Sequence, residues 1–406
     1  MSTSTAPGGG PTIGWRSPIV MLMLMAVAIQ LSHQTWFTLL NNFAIDRVGF
    51  TGREIGILQS IREIPGFLSF AVVLVLLLMR EQSLALLALV CLGLGTALTG
   101  YFPTEWAFYA TTLLMSLGFH YYETVAQSLA LQWFPKAEAA HGLGRILAAS
   151  SFAAIGSYAL IYLTWTLLGL DFREVYLVTG LATLAIAGYV WYAYPYFPQK
   201  VAQKRELIVR KRYWLFYALT FMGGARRQIF VVFAGFMMVE KFGFTVTTIT
   251  TLFLVNHLFN MVLAPRIGKL IGRVGERAAL TFEYIGLIAV FTAYAFVESP
   301  WIAAFLYVAD HAFFAMSIAM KTYFQKIADP AEIAPTAGVA FTINHIAAVF
   351  LPVLLGYVWL QNPSAVFLLG AAMAGVSLVI ARLVPRHPEP GREIIWSRKS
   401  VAEAAE

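Results

Sequence analysis

The sequence predicts an all-α integral membrane protein in which twelve transmembrane helices form two pseudo-symmetric six-helix bundles. Three observations predict it. Between residues 18 and 384 the chain carries about twelve long apolar stretches separated by short polar breaks. An apolar run of about 18 residues or more crosses a ~30 Å hydrocarbon core as a helix. Composition agrees: 59 % of residues are hydrophobic and 12 % charged, against about 25 % charged in a soluble domain. Finally, the chain repeats itself at a constant offset of 194 positions, as from residue 46 to residue 240.

In chain order the spans are expected at 18–45, 54–79, 83–101, 106–134, 144–168, 173–197, 213–240, 246–265, 278–297, 300–327, 337–361 and 364–384. Residues 1–17 read as a polar, disordered tail. The first span is retained, because Arg16 leads straight into a full-length apolar run rather than a short signal core. Asp46-Arg47-Val48-Gly49-Phe50-Thr51 closes span one, and Glu240-Lys241-Phe242-Gly243-Phe244-Thr245 closes span seven. The basic break 198–212 sits between spans six and seven as a linker, or as an amphipathic helix on anionic headgroups. Residues 385–406 form a second tail.

Orientation follows from Lys and Arg. Of the 28 basic residues, 20 fall on the side of the two tails, including Arg80, Lys136 and Arg145. Four lie on the other side (Arg47, Arg53, Arg173, Lys241) and four within spans. Both termini are therefore expected in the cytoplasm, in a bacterial inner membrane. The net charge of +7 is explained by this asymmetry and is no nucleic-acid signature. The single Cys91 allows no internal disulfide, and no metal site or cofactor is expected.

The repeat extends beyond the first match. Glu138 corresponds to Glu332, Gly144 to Gly338, Ala153-Ala154 to Ala347-Ala348, and Trp165 to Trp359. Six spans per half is an even number, so the halves share one membrane orientation. Between spans eight and nine stands Gly268-Lys-Leu270-Ile-Gly272-Arg273-Val-Gly275-Glu276-Arg277-Ala-Ala-Leu280. With this loop and this repeat, the chain resembles the major facilitator superfamily over residues 18–384. That family's loop reads G-x-L-x-D-R-x-G-R-R/K-x-x-L. Here Gly272 replaces the aspartate and Glu276 the first paired basic residue. The resemblance implies that Gly268, Gly272, Arg273, Gly275 and Arg277 form an inner-gate loop. The corresponding loop of the first half, Met79–Ser83, is degenerate. Span four lacks the arginine of drug/proton antiporters, and span five lacks their G-x-x-x-G-P motif.

Charges inside spans are costly and usually face a cavity or a partner. The resemblance implies that spans one, four, seven and ten line the central cavity. On span four, Ser116, His120, Glu123 and Gln127 share one helical face, and a His120–Glu123 pair at i, i+3 can relay a proton. The same stripe can also serve only to pack against span one or two. On span ten, Asp310, Phe314, Ser317 and Lys321 share a face, whereas His311 points elsewhere. On span seven, the adjacent Arg226 and Arg227 stand ~100° apart, so only one of them faces the cavity. Either binds an anionic group, or each pairs with Glu63, Glu123 or Asp310. Arg62 and Glu63, beside the helix-kinking Pro65, match Asn256 and His257 under the repeat. His33 and Gln34 complete the candidates on span one. Polar residues such as Asn260, Asn344 and His345 also serve as interhelical glue.

These residues point to a secondary active transporter working by alternating access, moving a small polar or anionic solute linked to protons. The expected partners are that solute, protons and lipid, with the protein monomeric. Efflux of amphiphilic drugs or lipids is an alternative. So is a non-transporting sensor or assembly factor. No nucleophile elbow, HExxH or P-loop appears, so an enzyme is not expected.

Overall fold

The structure is a computed structural model that describes residues 14–133, 139–198, 209–329 and 332–396. Helix α1 spans Pro18–Phe43 and ends in a π-helical turn, Ala44–Val48. Helix α2 spans Gly52–Phe67, and a 3-10 turn follows at Leu68–Ala71. Then come α3 (Glu81–Thr99), α4 (Glu105–Trp133), α5 (Ala139–Leu167) and α6 (Phe172–Ala193). Helix α7 runs from Trp214–Gln228 through a π-helical stretch, Ile229–Ala234, to Gly235–Glu240. It is followed by α8 (Val246–Val274) and α9 (Glu276–Ala295). Helix α10 runs as Pro300–Phe314, a 3-10 turn and Ile318–Ile327, and the chain ends with α11 (Ile333–Gln361) and α12 (Pro363–Ala381). Among the described residues, nine of these segments are long and apolar enough to cross a membrane by composition. Segments α2, α4 and α7 do not meet that test, and these are the ones carrying Arg62, Glu63, Glu123, Arg226 and Arg227.

Local chemistry explains the boundaries and exposes the repeat. Gly49 and Gly243 both sit in the left-handed region, at φ 77° and 64°, where a side chain is disfavoured. Two residues later Thr51 and Thr245 cap α2 and α8. Thr51 closes a capping box with Glu54, and Thr245 accepts from the Thr248 amide at 3.3 Å. Asp171 caps α6 in the same manner with Glu174. Deeper in the bundles, Ser32 on α1 hydrogen-bonds Thr183 on α6 at 2.8 Å. One repeat later, Arg226 on α7 donates to Ser377 on α12 at 3.3 Å.

The two bundles meet most tightly along α2 and α11. A Cβ at Gly56 would lie 3.2 Å from the Gly356 Cα, and a Cβ at Gly356 would lie 2.5 Å from the Gly52 carbonyl oxygen. Glycines let these backbones touch, the device by which helices associate inside lipid. Hydrogen bonds tie the same end: Asn42 Nδ2 donates to the Phe244 carbonyl at 2.7 Å, and the Val353 amide donates to Ser60 Oγ at 3.1 Å. This is the end opposite the two chain termini.

One expectation is corrected. Span eight was predicted to stop at 265, but α8 runs on to Val274, with Pro265 accommodated inside it. Gly268, Gly272 and Arg273 therefore lie on the last turns of a helix. Only Gly275, at φ 82°, forms the turn, and Arg277 already belongs to α9. Helical backbone satisfies its own hydrogen bonds, so the chain gains by continuing past the apolar run as far as the glycine that can break it. Glu276, the departure from the family pattern, is buried and pairs with Lys326 at the end of α10 at 2.6 Å. The chain after α12 packs back on the second bundle: Tyr323 donates to the Glu393 carbonyl at 2.5 Å, and the Ile395 amide donates to the Leu383 carbonyl at 3.0 Å.

Candidate functional site

Between the bundles lies a cavity of about 1120 Å³. It is closed where α2 meets α11 and extends toward the termini-bearing end, where Phe216, Phe324 and Gln325 line it. Both bundles contribute walls. His33 and Gln34 come from α1, Arg62 and Glu63 from α2, and His120 and Glu123 from α4. Arg226 and Arg227 come from α7, Asn256 and His257 from α8, and Asp310 and Lys321 from α10. These twelve sequence-predicted residues share one void. The side chain of Gln127 lies outside the described residues. The five loop candidates between α8 and α9 do not reach the cavity.

The adjacent arginines do different things, as their angular separation requires. Arg226 is 3 % exposed; its Nη2 donates to Glu283 Oε1 at 3.1 Å and its Nη1 to Ser377. Glu283, on α9, was not among the partners expected from sequence, because nothing linear connects α9 to α7. Arg227 makes no hydrogen bond or ion pair among the described residues. It is deep within the protein, yet exposed to the void. Its guanidinium stands 5.8 Å from the Phe314 ring, and Glu63 and Glu123 are the carboxylates that act on it. Glu123 likewise projects into the cavity. Asp310 is buried at the wall, with Arg226 as its electrostatic partner.

The expected His120–Glu123 pair does not form. The His120 Nδ1 lies 3.0 Å from Ser116 Oγ and 3.1 Å from the Ser116 carbonyl, and its ring faces His345. An i, i+3 spacing puts two side chains on one face, but the bond to the i−4 carbonyl rotates the imidazole away. Glu63 is held instead by Arg62 on its own helix and lies 3.5 Å from His345 on α11. His311, expected to point elsewhere, lines the cavity while bonding the Tyr307 carbonyl at 2.9 Å.

The repeat organises these contacts. Under the 194-residue offset, Ser116 corresponds to Asp310, Glu123 to Ser317 and Gln127 to Lys321, so α4 and α10 present equivalent polar faces with exchanged chemistry. His33 corresponds to Arg227, and Glu63–His345 to His257–Ser151. Sequence reading assigned no cavity role to His345 and did not see the aromatic floor. There Phe37 stacks on Phe253 at 5.7 Å, Phe253 on Tyr307 at 5.4 Å and His33 on Phe119 at 4.1 Å. A repeat register pairs His345 with Ser151 and Asn344 with Ser150, so it would not have separated the two. The aromatic contacts have no linear signal, because they join α1, α4, α8 and α10.

A sequence model of the major facilitator superfamily matches residues 17–352. The chain belongs to the major facilitator superfamily. Its solved relatives agree on the fold. A substituted form of the nucleoside transporter NupG aligns with a TM-score of 0.74 at 15 % identity, covering 90 % of this chain and 99 % of the other. A bacterial homologue of the human lysosomal transporter Spinster, inward-facing and occupied, aligns with a TM-score of 0.69 at 15 % identity, covering 92 % and 96 %. No curated protein matches the sequence. This member of the superfamily is thus a multi-pass membrane protein with a transporter fold, and not an enzyme.

Proposed function

We propose that this protein is a secondary transporter that moves a small organic anion in step with protons, with both termini in the cytoplasm of a bacterial inner membrane. The observation that carries the reading is Arg227, a permanent cation hung in a void at the junction of the two bundles. Arginine's planar fork matches a carboxylate or phosphate, and inside a low-dielectric wall such a contact outweighs its value in water. Glu123 and Asp310 share the void and are the proton-carrying candidates. The Phe37–Phe253–Tyr307 floor supplies apolar contact for the rest of the solute. With the termini inside, this is an inward-open state, and the α2–α11 glycine seam is the part that separates when the bundles rock. Residues 18–197 and 213–384 move as the two bodies, joined by the linker 198–212.

The test is uptake of a panel of carboxylates and phosphorylated solutes into proteoliposomes under an imposed pH gradient. Saturable uptake of one of them, enhanced by the gradient and abolished by a protonophore, is expected. Uptake insensitive to both rejects the proton link. An unchanged affinity in Arg227→Gln removes the arginine from the binding site.

A further inference from the structure

The α2–α11 seam holds, at the wall of the cavity, a cluster that anion transport does not require. Glu63 on α2, His120 on α4 and His345 on α11 each turn one ligand-type atom toward a common point, and these three atoms lie within 4.8 Å of one another. All three residues are buried, at 5 %, 3 % and 6 % exposure.

The ring hydrogen bonds show which nitrogen of each imidazole is left free to ligate. His345 Nδ1 lies 2.8 Å from the Phe341 carbonyl oxygen, and His120 Nδ1 lies 3.1 Å from that of Ser116. A carbonyl only accepts, so each Nδ1 carries the hydrogen and donates it. Each neutral ring therefore presents an Nε2 lone pair. That of His345 is 3.5 Å from Glu63 Oε2, while the other carboxylate oxygen, Oε1, is taken by Arg62. Three helices thus bring two imidazoles, each with a free Nε2, and a carboxylate into one buried cluster. A single proton bridges one pair of them; a metal cation engages all three. Two imidazoles and a carboxylate form a recurrent ligand set for first-row transition ions. The Nδ1–H to carbonyl bond on each ring is the brace that orients such ligands.

The backbone makes room for this approach. A Cβ at Gly66 would lie 2.6 Å from His345 Nε2 and 2.7 Å from His120 Cδ2, so any larger residue there would press into the rings. We propose that Glu63, His120 and His345 bind one divalent transition-metal ion of the Zn²⁺ or Co²⁺ type. Glu63 and His120 belong to the first bundle and His345 to the second, so the ion ties the bundles together in the state with the α2–α11 seam closed. Arg62 and Arg227 stand nearby and oppose a further positive charge, which sets the affinity below that of a closed structural zinc site.

Co²⁺ titration of the full chain, purified in detergent without a histidine tag, tests the site independently of any transported solute. One Co²⁺ per chain is expected, with ligand-field bands unlike those of the aqua ion and displaced by Zn²⁺. His345→Gln and His120→Gln should each weaken binding by about tenfold or more, whereas His387→Gln, on the exposed tail, should not. X-ray absorption of the wild-type Zn²⁺ complex needs no variant and should show two imidazoles. Absence of binding, binding unaffected by both substitutions, or fewer than two imidazoles overturns the proposal.

Discussion

Arg226 and Arg227 are neighbours in sequence, and the structure assigns them separate tasks. Replacing Arg226 with Met tests this most directly. The wild-type guanidinium answers Glu283 at 3.1 Å, and both residues are almost fully buried, at 3 % and 1 % exposure. Without it, Glu283 keeps a buried carboxylate whose second oxygen has no partner among the described residues, beside Asp310. Breaking one side of such a pair costs about 3–5 kcal/mol. In a bundle of this size that corresponds to a loss of roughly 6–20 °C in Tm, at about 2–4 °C per kcal/mol. Replacing both partners by apolar residues is a different perturbation, because Glu283 is no longer stranded and only Asp310 loses Arg226 as a neighbour. The first bundle already shows that the fold accepts it, since Ser32 and Leu89 occupy the positions equivalent to Arg226 and Glu283. Arg226→Met/Glu283→Leu should therefore recover part of the loss, the part due to Glu283, with a coupling of about 1–3 kcal/mol in a double-mutant cycle. Intrinsic-fluorescence melting in detergent at one fixed scan rate measures it, since such unfolding is governed by rates. A single variant within about 1 kcal/mol of wild type, or a double variant no better than the single one, would refute the reasoning.

Arg227→Gln should melt close to wild type, because Arg227 makes no hydrogen bond or ion pair among the described residues and Glu123 faces the open cavity. It should weaken solute binding by roughly 10- to 150-fold, the worth of a hydrogen bond to a charged group of about 1.5–3 kcal/mol; isothermal titration with the transported solute measures this. Gly356→Val should press into the Gly52 carbonyl and loosen the seam, so that a cysteine placed at Gln34 becomes reactive from the side opposite the termini. Unchanged labelling would deny the seam its sealing role. Glu332 is held at about 2 by hydrogen bonds from Arg212, Tyr213 and Arg210, below its ordinary value of 4.5. A lowered folded value stabilises above the unfolded one and fades as pH falls through the folded one. The Tm gap between wild type and Glu332→Gln should therefore hold steady above a pH of about 4.5 and shrink only between about 4.5 and 2. A gap that closed near neutrality would contradict the stabilising role of the bonds from Arg212, Tyr213 and Arg210 to Glu332.

The sequence by itself determined the solvent, the number of spans and the repeat. These depend on properties summed along a segment: apolar length against bilayer thickness, and a register that returns Gly49 as Gly243 and Thr51 as Thr245. It also identified the polar faces of α4 and α10, because helical spacing is a local rule. What only the tertiary structure decided is which partner each buried charge takes. Arg226 finds Glu283 57 positions away, and His120 turns from Glu123, three residues on, toward a cluster completed by His345 on the other bundle. Local spacing fixes the direction in which a side chain leaves its helix. The neighbour it meets there depends on how α2, α7, α9 and α11 are packed, and that packing is set by close contacts such as Gly56 against Gly356, which no periodicity encodes.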